Sequence, residues 1–182
     1  MYPPLRVGVL LQPQLITYPA YAQAVRQAES LGVDTIWDWD HFFPPYRRKH
    51  TGEHFEAWTL LSAMAGLTRR AEIGCLVSCN DYRNPNLLAN MAKTVDHLSG
   101  GRLILGIGAG WNEAEYRAYG YPFASAARRL QALEQSLVQI KQRWQSEQPP
   151  PLRNPIPILA GGVGEQITLR ITARYADIWN GF

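Results

Sequence analysis

The chain has 182 residues, 46% of them hydrophobic, which is enough for one sizeable core, and nothing in it argues for two independent domains. Its net charge of +3 comes from Lys and Arg scattered in short clusters, and no nucleic-acid motif accompanies them. No apolar run approaches membrane-spanning length, and no basic start leads into an apolar stretch, so the expectation is a cytoplasmic protein without a nucleic-acid or membrane partner.

Strand and helix patterns alternate from the first residues. Val7 to Leu11 reads as a short buried strand, and after Pro13 the residues Tyr21, Val25, Ala28 and Leu31 recur at helical spacing before Gly32. Asp34 to Trp39 makes a second strand that runs into Asp40 and His41. A Pro-rich, aromatic loop follows and carries the densest basic cluster, Arg47-Arg48-Lys49-His50, which suits a solvated loop face or an anion contact. A helix with Trp58, Leu61 and Ala65 leads to a third strand, Ile73 to Val77. Cys75 and Cys79 fall at a spacing that puts both on one strand face, where disulfide geometry is out of reach, so both are expected as reduced core thiols, and no Cys or His cluster accompanies them to build a zinc site.

Asn84 is a capping residue directly before a proline suited to the first helical position, and Leu88, Met91, Ala92, Val95 and Leu98 form the apolar stripe of the helix that Gly100-Gly101 ends. Leu103-Ile104-Leu105 predicts a strand covered on both faces. The glycines of Gly106-Ile107-Gly108-Ala109-Gly110-Trp111 then remove side chains where something large must lie against the backbone. That is either a ligand at the strand's carboxyl end or a close contact between elements. After Tyr119-Gly120-Tyr121-Pro122, a helix carries Leu130, Leu133, Leu137, Ile140 and Trp144. A fifth strand, Ile156 to Ala160, runs into Gly161-Gly162-Val163-Gly164, which opens a helix reaching Tyr175, and a sixth strand begins at Ala176. Unpaired amides at that helix start make a ready phosphate cradle, with a tight turn as the plain alternative. Repeated strand-helix units with short connections predict a parallel sheet, doubly wound or curled into a barrel.

Several motifs in this order resemble the luciferase-like monooxygenase superfamily, and within it the oxidoreductases that use the deazaflavin coenzyme F-420. They are Trp39-Asp40-His41-Phe42, Tyr82-Arg83-Asn84-Pro85, Leu98-Ser99-Gly100-Gly101-Arg102-Leu103 through Gly110-Trp111, Ala160-Gly161-Gly162, and Ala173-Arg174-Tyr175-Ala176-Asp177. The resemblance implies an α/β fold of the (β/α)8 TIM-barrel type with its site at the carboxyl ends of the strands. Only about six parallel strands are supplied, so residues 1–182 are expected to be a single barrel domain truncated at the C-terminus, lacking the last two strand-helix units. Unpaired backbone on the first and sixth strands, with interior residues such as Ile178 exposed, predicts a homo-oligomer or a missing C-terminal barrel segment in place of a well-behaved monomer.

The resemblance further implies hydride transfer between coenzyme F-420 and a small organic substrate, with His41 as the catalytic residue. Asp40, Ser78, Gly108, Ala109, Gly110, Gly161, Gly162 and Gly164 are implied to bind the cofactor, with its phosphate near Gly162 and Gly164. Asp38 is expected to face the same way as Asp40, Asn80 to lie with Ser78 near the ring's polar edge, and Tyr82 and Arg83 near the cofactor tail. A non-proline cis peptide, which family members often carry at the end of strand three, is expected within Cys75-Leu76-Val77-Ser78. Where the sugar-phosphate dehydrogenase branch has a Glu directly after the fourth-strand glycines, this chain has Trp111, which argues against that substrate class. The alternatives are an FMN-dependent monooxygenase of the bacterial-luciferase type and a catalytically silent flavin-binding or assembly subunit.

Overall fold

The computed structural model describes residues 4–45 and 53–181. The basic cluster Arg47-Arg48-Lys49-His50 lies outside the described residues. The elements in chain order are β1 (Gly8–Leu10), α1 (Tyr18–Ser30), β2 (Thr35–Asp38), α2 (Ala57–Leu67), β3 (Glu72–Cys75), β4 (Ser78–Cys79), a 3-10 turn (Asn80–Tyr82), α3 (Pro85–Ser99), β5 (Leu103–Gly108), α4 (Glu113–Ala118), α5 (Ala126–Ser146), β6 (Ile158–Gly161), α6 (Thr168–Tyr175) and β7 (Ile178–Asn180). Every strand pairing is parallel, in the order β1-β2-β3-β5-β6-β7, with β4 continuing the line of β3 beside β5. The described strands therefore form six staves in sequence order, with the helices on one face, the start of a (β/α) barrel.

Local chemistry sets the helix ends. The Thr17 side chain accepts from the Ala20 amide at the start of α1, and Asn84 accepts from Asn86 and Leu87 directly before Pro85 at the start of α3. Gly100 closes α3 in the left-handed conformation at φ 69°, which other residues adopt only at a cost. The main core lies between the outer face of the sheet and the helices. Ile36, Ile73, Leu103, Leu105, Ile107 and Ile158 pack there against Tyr21, Trp58, Met64, Leu88, Leu137 and Trp144. The opposite face of the sheet carries a much smaller cluster, Trp37, Ile104 and Leu159 with Leu76 and Val77 against it.

Four sequence expectations need correction. The third strand does not run unbroken from Ile73 to Val77. It stops at Cys75, and Leu76–Val77 is the cis peptide expected in this stretch. Cys75 and Cys79 consequently do not share a strand face: Cys75 is buried on the helix side close to Asp38, and Cys79 lines the cavity described below. Both are free thiols. The helix expected to open at Gly161-Gly162-Val163-Gly164 begins only at Thr168, because β6 runs on through Gly161 and a turn intervenes. Leu31 and Leu98 complete their stripes by spacing but are exposed, Leu31 because it is the residue that caps α1 and Leu98 because it sits at the rim of α3. The short helix α4 has no counterpart in the sequence reading, since six residues are too few to display a period.

The two lateral strands are open. β1 pairs only with β2 and β7 only with β6 among the described residues, and Ile178 and Trp179 on β7 are exposed. No described helix is long and apolar enough to cross a membrane.

Candidate active site

The site begins at the break in the third stave. There the Val77 side chain lies over the carboxyl ends of β5 and β6. A Cβ on Gly161 would stand 2.9 Å from Val77 Cγ1, and one on Gly108 would stand 2.9 Å from Val77 Cγ2. A Cβ on Gly106 would meet the Cys75 carbonyl oxygen at 1.9 Å. The protein's own close packing therefore calls for glycine at these three positions, and Gly108 and Gly161 also border the cavity described next. Gly110 is different. It has φ +76°, and its Cβ would fall 2.2 Å from the Tyr116 hydroxyl and 2.6 Å from Cys79 Sγ, so it both turns the chain and lets α4 close in.

Above Val77 opens a cavity of about 730 Å³ at the carboxyl ends of the strands. Its walls come from every stave: Leu10 at the end of β1, Trp39 to His41 after β2, Leu76 to Cys79 from the third, Gly108 to Asn112 at and beyond the end of β5, Gly161 to Val163 at and beyond the end of β6, and Asn180 from β7. The volume falls in the range of roughly 300–1,000 Å³ usual for small-molecule and cofactor sites.

His41 stands on this wall. Its Nδ1 lies 2.9 and 3.1 Å from the two carboxylate oxygens of Glu115, and its ring meets Trp39 edge-on at 5.0 Å and Trp111 at 5.8 Å. Its backbone carbonyl accepts from His54 Nε2 at 2.5 Å, on a segment that bridges to Gln14. Glu115 also accepts from the Phe42 amide at 2.7 Å and the Tyr82 hydroxyl at 3.1 Å. Burial alone would raise the Glu115 pKa, but the hydrogen bond and charge of His41, the Phe42 amide and Tyr82 outweigh it and hold the carboxyl below its usual value. The same burial, with Cys79 and Glu115 adding to it, raises the Tyr82 phenol, which stays a donor.

Asp40 is buried and held by protein donors. The Cys79 amide donates to it at 3.0 Å, and Arg83 grips it with both guanidinium nitrogens while also pairing with Glu56. Desolvation works against the Arg83 cation, yet Asp40 and Glu56 hold its pKa above the ordinary value, so the cluster is a locked ion pair. Arg83 is thus committed to Asp40 and does not line the cavity. Ser78 Oγ, fully buried, accepts from Trp58 Nε1 at 3.0 Å, which ties the cavity wall to the main core. Cys79 is pushed up to about 12 by burial, which favours the thiol over the thiolate, and its Sγ lies 3.1 Å from the Tyr116 hydroxyl.

Of the residues singled out in the sequence, His41, Asp40, Ser78, Gly108, Ala109, Gly110, Gly161 and Gly162 all line this cavity. Gly164 does not, since the turn before α6 carries it past the wall, where Leu169 donates to its carbonyl at 3.1 Å. Asn80 is buried in the 3-10 turn and donates to Asp81 instead of facing the cavity. Asp38 does not share the outlook of Asp40. As the last residue of β2 it lies with Ile36 on the helix side of the sheet, whereas Asp40 lies beyond the strand's end. Glu115 was missed, because an acid in an unread six-residue helix looks like any solvated charge. A usable signal existed in Glu113 and Glu115 opening a helix directly after a glycine turn.

Comparison with known proteins agrees with this geometry. The family model for luciferase-like monooxygenases matches residues 4–180, and the chain belongs to that family. It is 36% identical over 127 residues to the F420-dependent glucose-6-phosphate dehydrogenase of Amycolatopsis mediterranei, covering 68% of this chain and 37% of that protein. Among solved structures, an F420-dependent secondary alcohol dehydrogenase in complex with an F420-acetone adduct superposes with a TM-score of 0.85 at 20% identity, over 96% of this chain and 57% of the other. The FMN-bound oxygenating constituent of 3,6-diketocamphane monooxygenase from Pseudomonas putida gives a TM-score of 0.72 at 17% identity, over 92% and 54%. The six-stave sheet is thus an incomplete TIM barrel of the kind these proteins share, and the chain spans little more than half the length of its solved relatives.

Proposed function

We propose that this chain carries the cofactor seat and the proton-transfer group of an oxidoreductase that exchanges hydride between coenzyme F-420 and a small organic substrate. The observation that supports this reading best is His41, held by a buried carboxylate on the wall of a cavity of about 730 Å³ at the carboxyl ends of the strands. The residues present fit such a group. Val77, Gly108, Ala109 and Gly110 would hold its ring, Asp40 and Ser78 its polar edge, and the turn around Gly161 and Gly162 its phosphate side, with Gly164 further along that turn. When bound, a deazaflavin supplies the ring carbon that gives or takes hydride. His41 would move the accompanying proton at the substrate oxygen through its ring nitrogen away from Glu115, with Trp39 and Trp111 edge-on beside the ring.

FMN and a monooxygenase reaction form the alternative, supported by the fold shared with the camphane enzyme. A silent flavin-binding or assembly subunit is the third reading. Adding F-420 and FMN separately and following fluorescence quenching separates the first two. F-420 is expected to bind more tightly and to be reduced by secondary alcohols, and His41→Ala is expected to lower turnover by roughly a hundredfold while leaving F-420 affinity nearly intact. Binding without turnover by any donor would favour the silent subunit, and binding of neither cofactor would overturn the reading.

The open edges of β1 and β7 support a further part of the proposal. Parallel strands need both lateral neighbours, so we expect the 182-residue chain, which we place in the cytoplasm, to associate with a second copy or to require further barrel strands. Sedimentation giving a monodisperse monomer with a cooperative melt would count against that.

A further inference from the structure

We propose that Glu115 is a positioning residue for the reaction, fixing His41 as the Nδ1–H tautomer so that the unprotonated Nε2 is the atom offered to substrate. The proposal rests on the reading of His41 as the proton-transfer group.

The argument starts from donor counting. An ionised carboxylate only accepts, and Glu115 accepts from the Phe42 amide and the Tyr82 hydroxyl. The contact between Glu115 and His41 Nδ1 at 2.9 Å is attractive only if that nitrogen carries the hydrogen. In the neutral imidazole the lone pair then belongs to Nε2. Trp39 and Trp111 meet the ring edge-on, at 5.0 and 5.8 Å between centroids, and leave Glu115 as the partner of Nδ1.

Glu115 itself is built for permanence. Its side chain is 1% exposed while that of His41 is 15% exposed, so of the two residues, both of which border the cavity, the acid is the more deeply buried. It enters from α4, immediately after the turn that Gly110 makes possible, and Tyr116 beside it locks the helix by donating to Asp81 at 3.0 Å. The same glycine turn that bounds the cavity therefore also delivers the carboxylate that orients its base. Among the described residues the titratable groups around His41 are Glu115 from α4, Tyr82 behind that carboxylate, Asp40 adjacent in sequence, and His54 on the His41 carbonyl.

The test uses the full chain labelled with 15N at histidine. Long-range nitrogen-proton correlation of the wild type at neutral pH is expected to show His41 with hydrogen on Nδ1. In Glu115→Gln the Nε2–H form should gain population. With F-420 and a secondary alcohol that the wild type turns over, kcat should fall by roughly tenfold or more while KM and F-420 affinity stay within about twofold, and Glu115→Asp should recover part of the loss. An Nε2–H signal in the wild type would overturn the proposal even if no variant folds. So would an unchanged kcat in Glu115→Gln beside a lowered one in His41→Ala. If His41→Ala itself turns over normally, the reading of His41 fails first, and that result is distinct from a failure of Glu115.

Discussion

The two faces of the sheet are built on opposite rules. The outer face, toward the helices, is a close-packed apolar layer in which Leu103, Leu105, Ile107 and Ile158 are wholly buried. The inner face has Gly74, Gly106, Gly108 and Gly161 where that layer has leucine and isoleucine, and its few large residues, Trp37, Ile104 and Leu159, cluster low under Val77. Both rules alternate along the same strands: β5 reads Leu, Ile, Leu, Gly, Ile, Gly, so each outward apolar residue has an inward neighbour that shrinks toward the carboxyl end. The difference separates stability from function. Apolar area on the outer face holds the staves together, while the inner face is emptied at one end to leave a cavity.

The largest expected effect follows from removing one outward residue. Leu105→Ala should cost about 2–5 kcal/mol, because a fully buried leucine loses its contacts and leaves a hole. Denaturant melts would measure it, and F-420 affinity at low temperature should hardly change. A large loss of affinity at unchanged stability would break the division between the faces. The inward counterpart is Gly108→Leu. Its first carbon already meets Val77 Cγ2 at 2.9 Å and the Gly161 carbonyl at 3.3 Å, so overpacking of about 1–3 kcal/mol should push Val77 into the cavity. Cofactor affinity by fluorescence titration should drop by roughly tenfold or more, and retention of full affinity would show that the cavity floor is not where the ring rests.

The same contrast explains what could be read from the sequence. The outer face was legible because burial on one side of a helix or strand imposes a period, and Tyr21, Val25, Leu88, Val95, Leu137 and Trp144 keep it. The inner face was legible only where several staves end in small or polar residues, which brought Asp40, His41, Ser78 and the glycines to one cavity. Three things escaped. The break at Leu76–Val77 fell in the expected stretch, but its effect did not follow, because strand alternation carried across it put Cys75 and Cys79 on one face. Glu115 has no period to announce it. Arg83 was read as facing the cofactor tail, because a cation between strand and helix carries no mark of the partner, here Asp40, that will claim it 43 positions away.

One residue violates the rule of the outer face, and it supplies the finest test. Asp38 ends β2 among apolar residues, is fully buried, and has no hydrogen-bond partner on either carboxylate oxygen among the described residues. The nearby Tyr21 hydroxyl is likewise unpartnered. Burial pushes the Asp38 pKa well above its ordinary 3.8, the charges of Asp40 and Glu56 add to the rise, and Cys75 and Arg83 oppose it. The folded chain thus keeps a proton that the unfolded chain releases. The contribution of this group to stability is complete below the ordinary value and is lost as pH climbs toward the raised one. Asp38→Asn keeps the shape and removes the titration, so its melting temperature should exceed that of the wild type near neutral pH by roughly 2–4 °C, the equivalent of about 1 kcal/mol in a domain of this size. The gain should shrink toward about pH 4, where the wild-type acid is protonated in both states. Melts of both proteins across that range decide it. A gap independent of pH would mean that Asp38 stays ionised in the fold, held by Arg83 as part of the Asp40 cluster, and the outer face would then have a polar corner that belongs to the site.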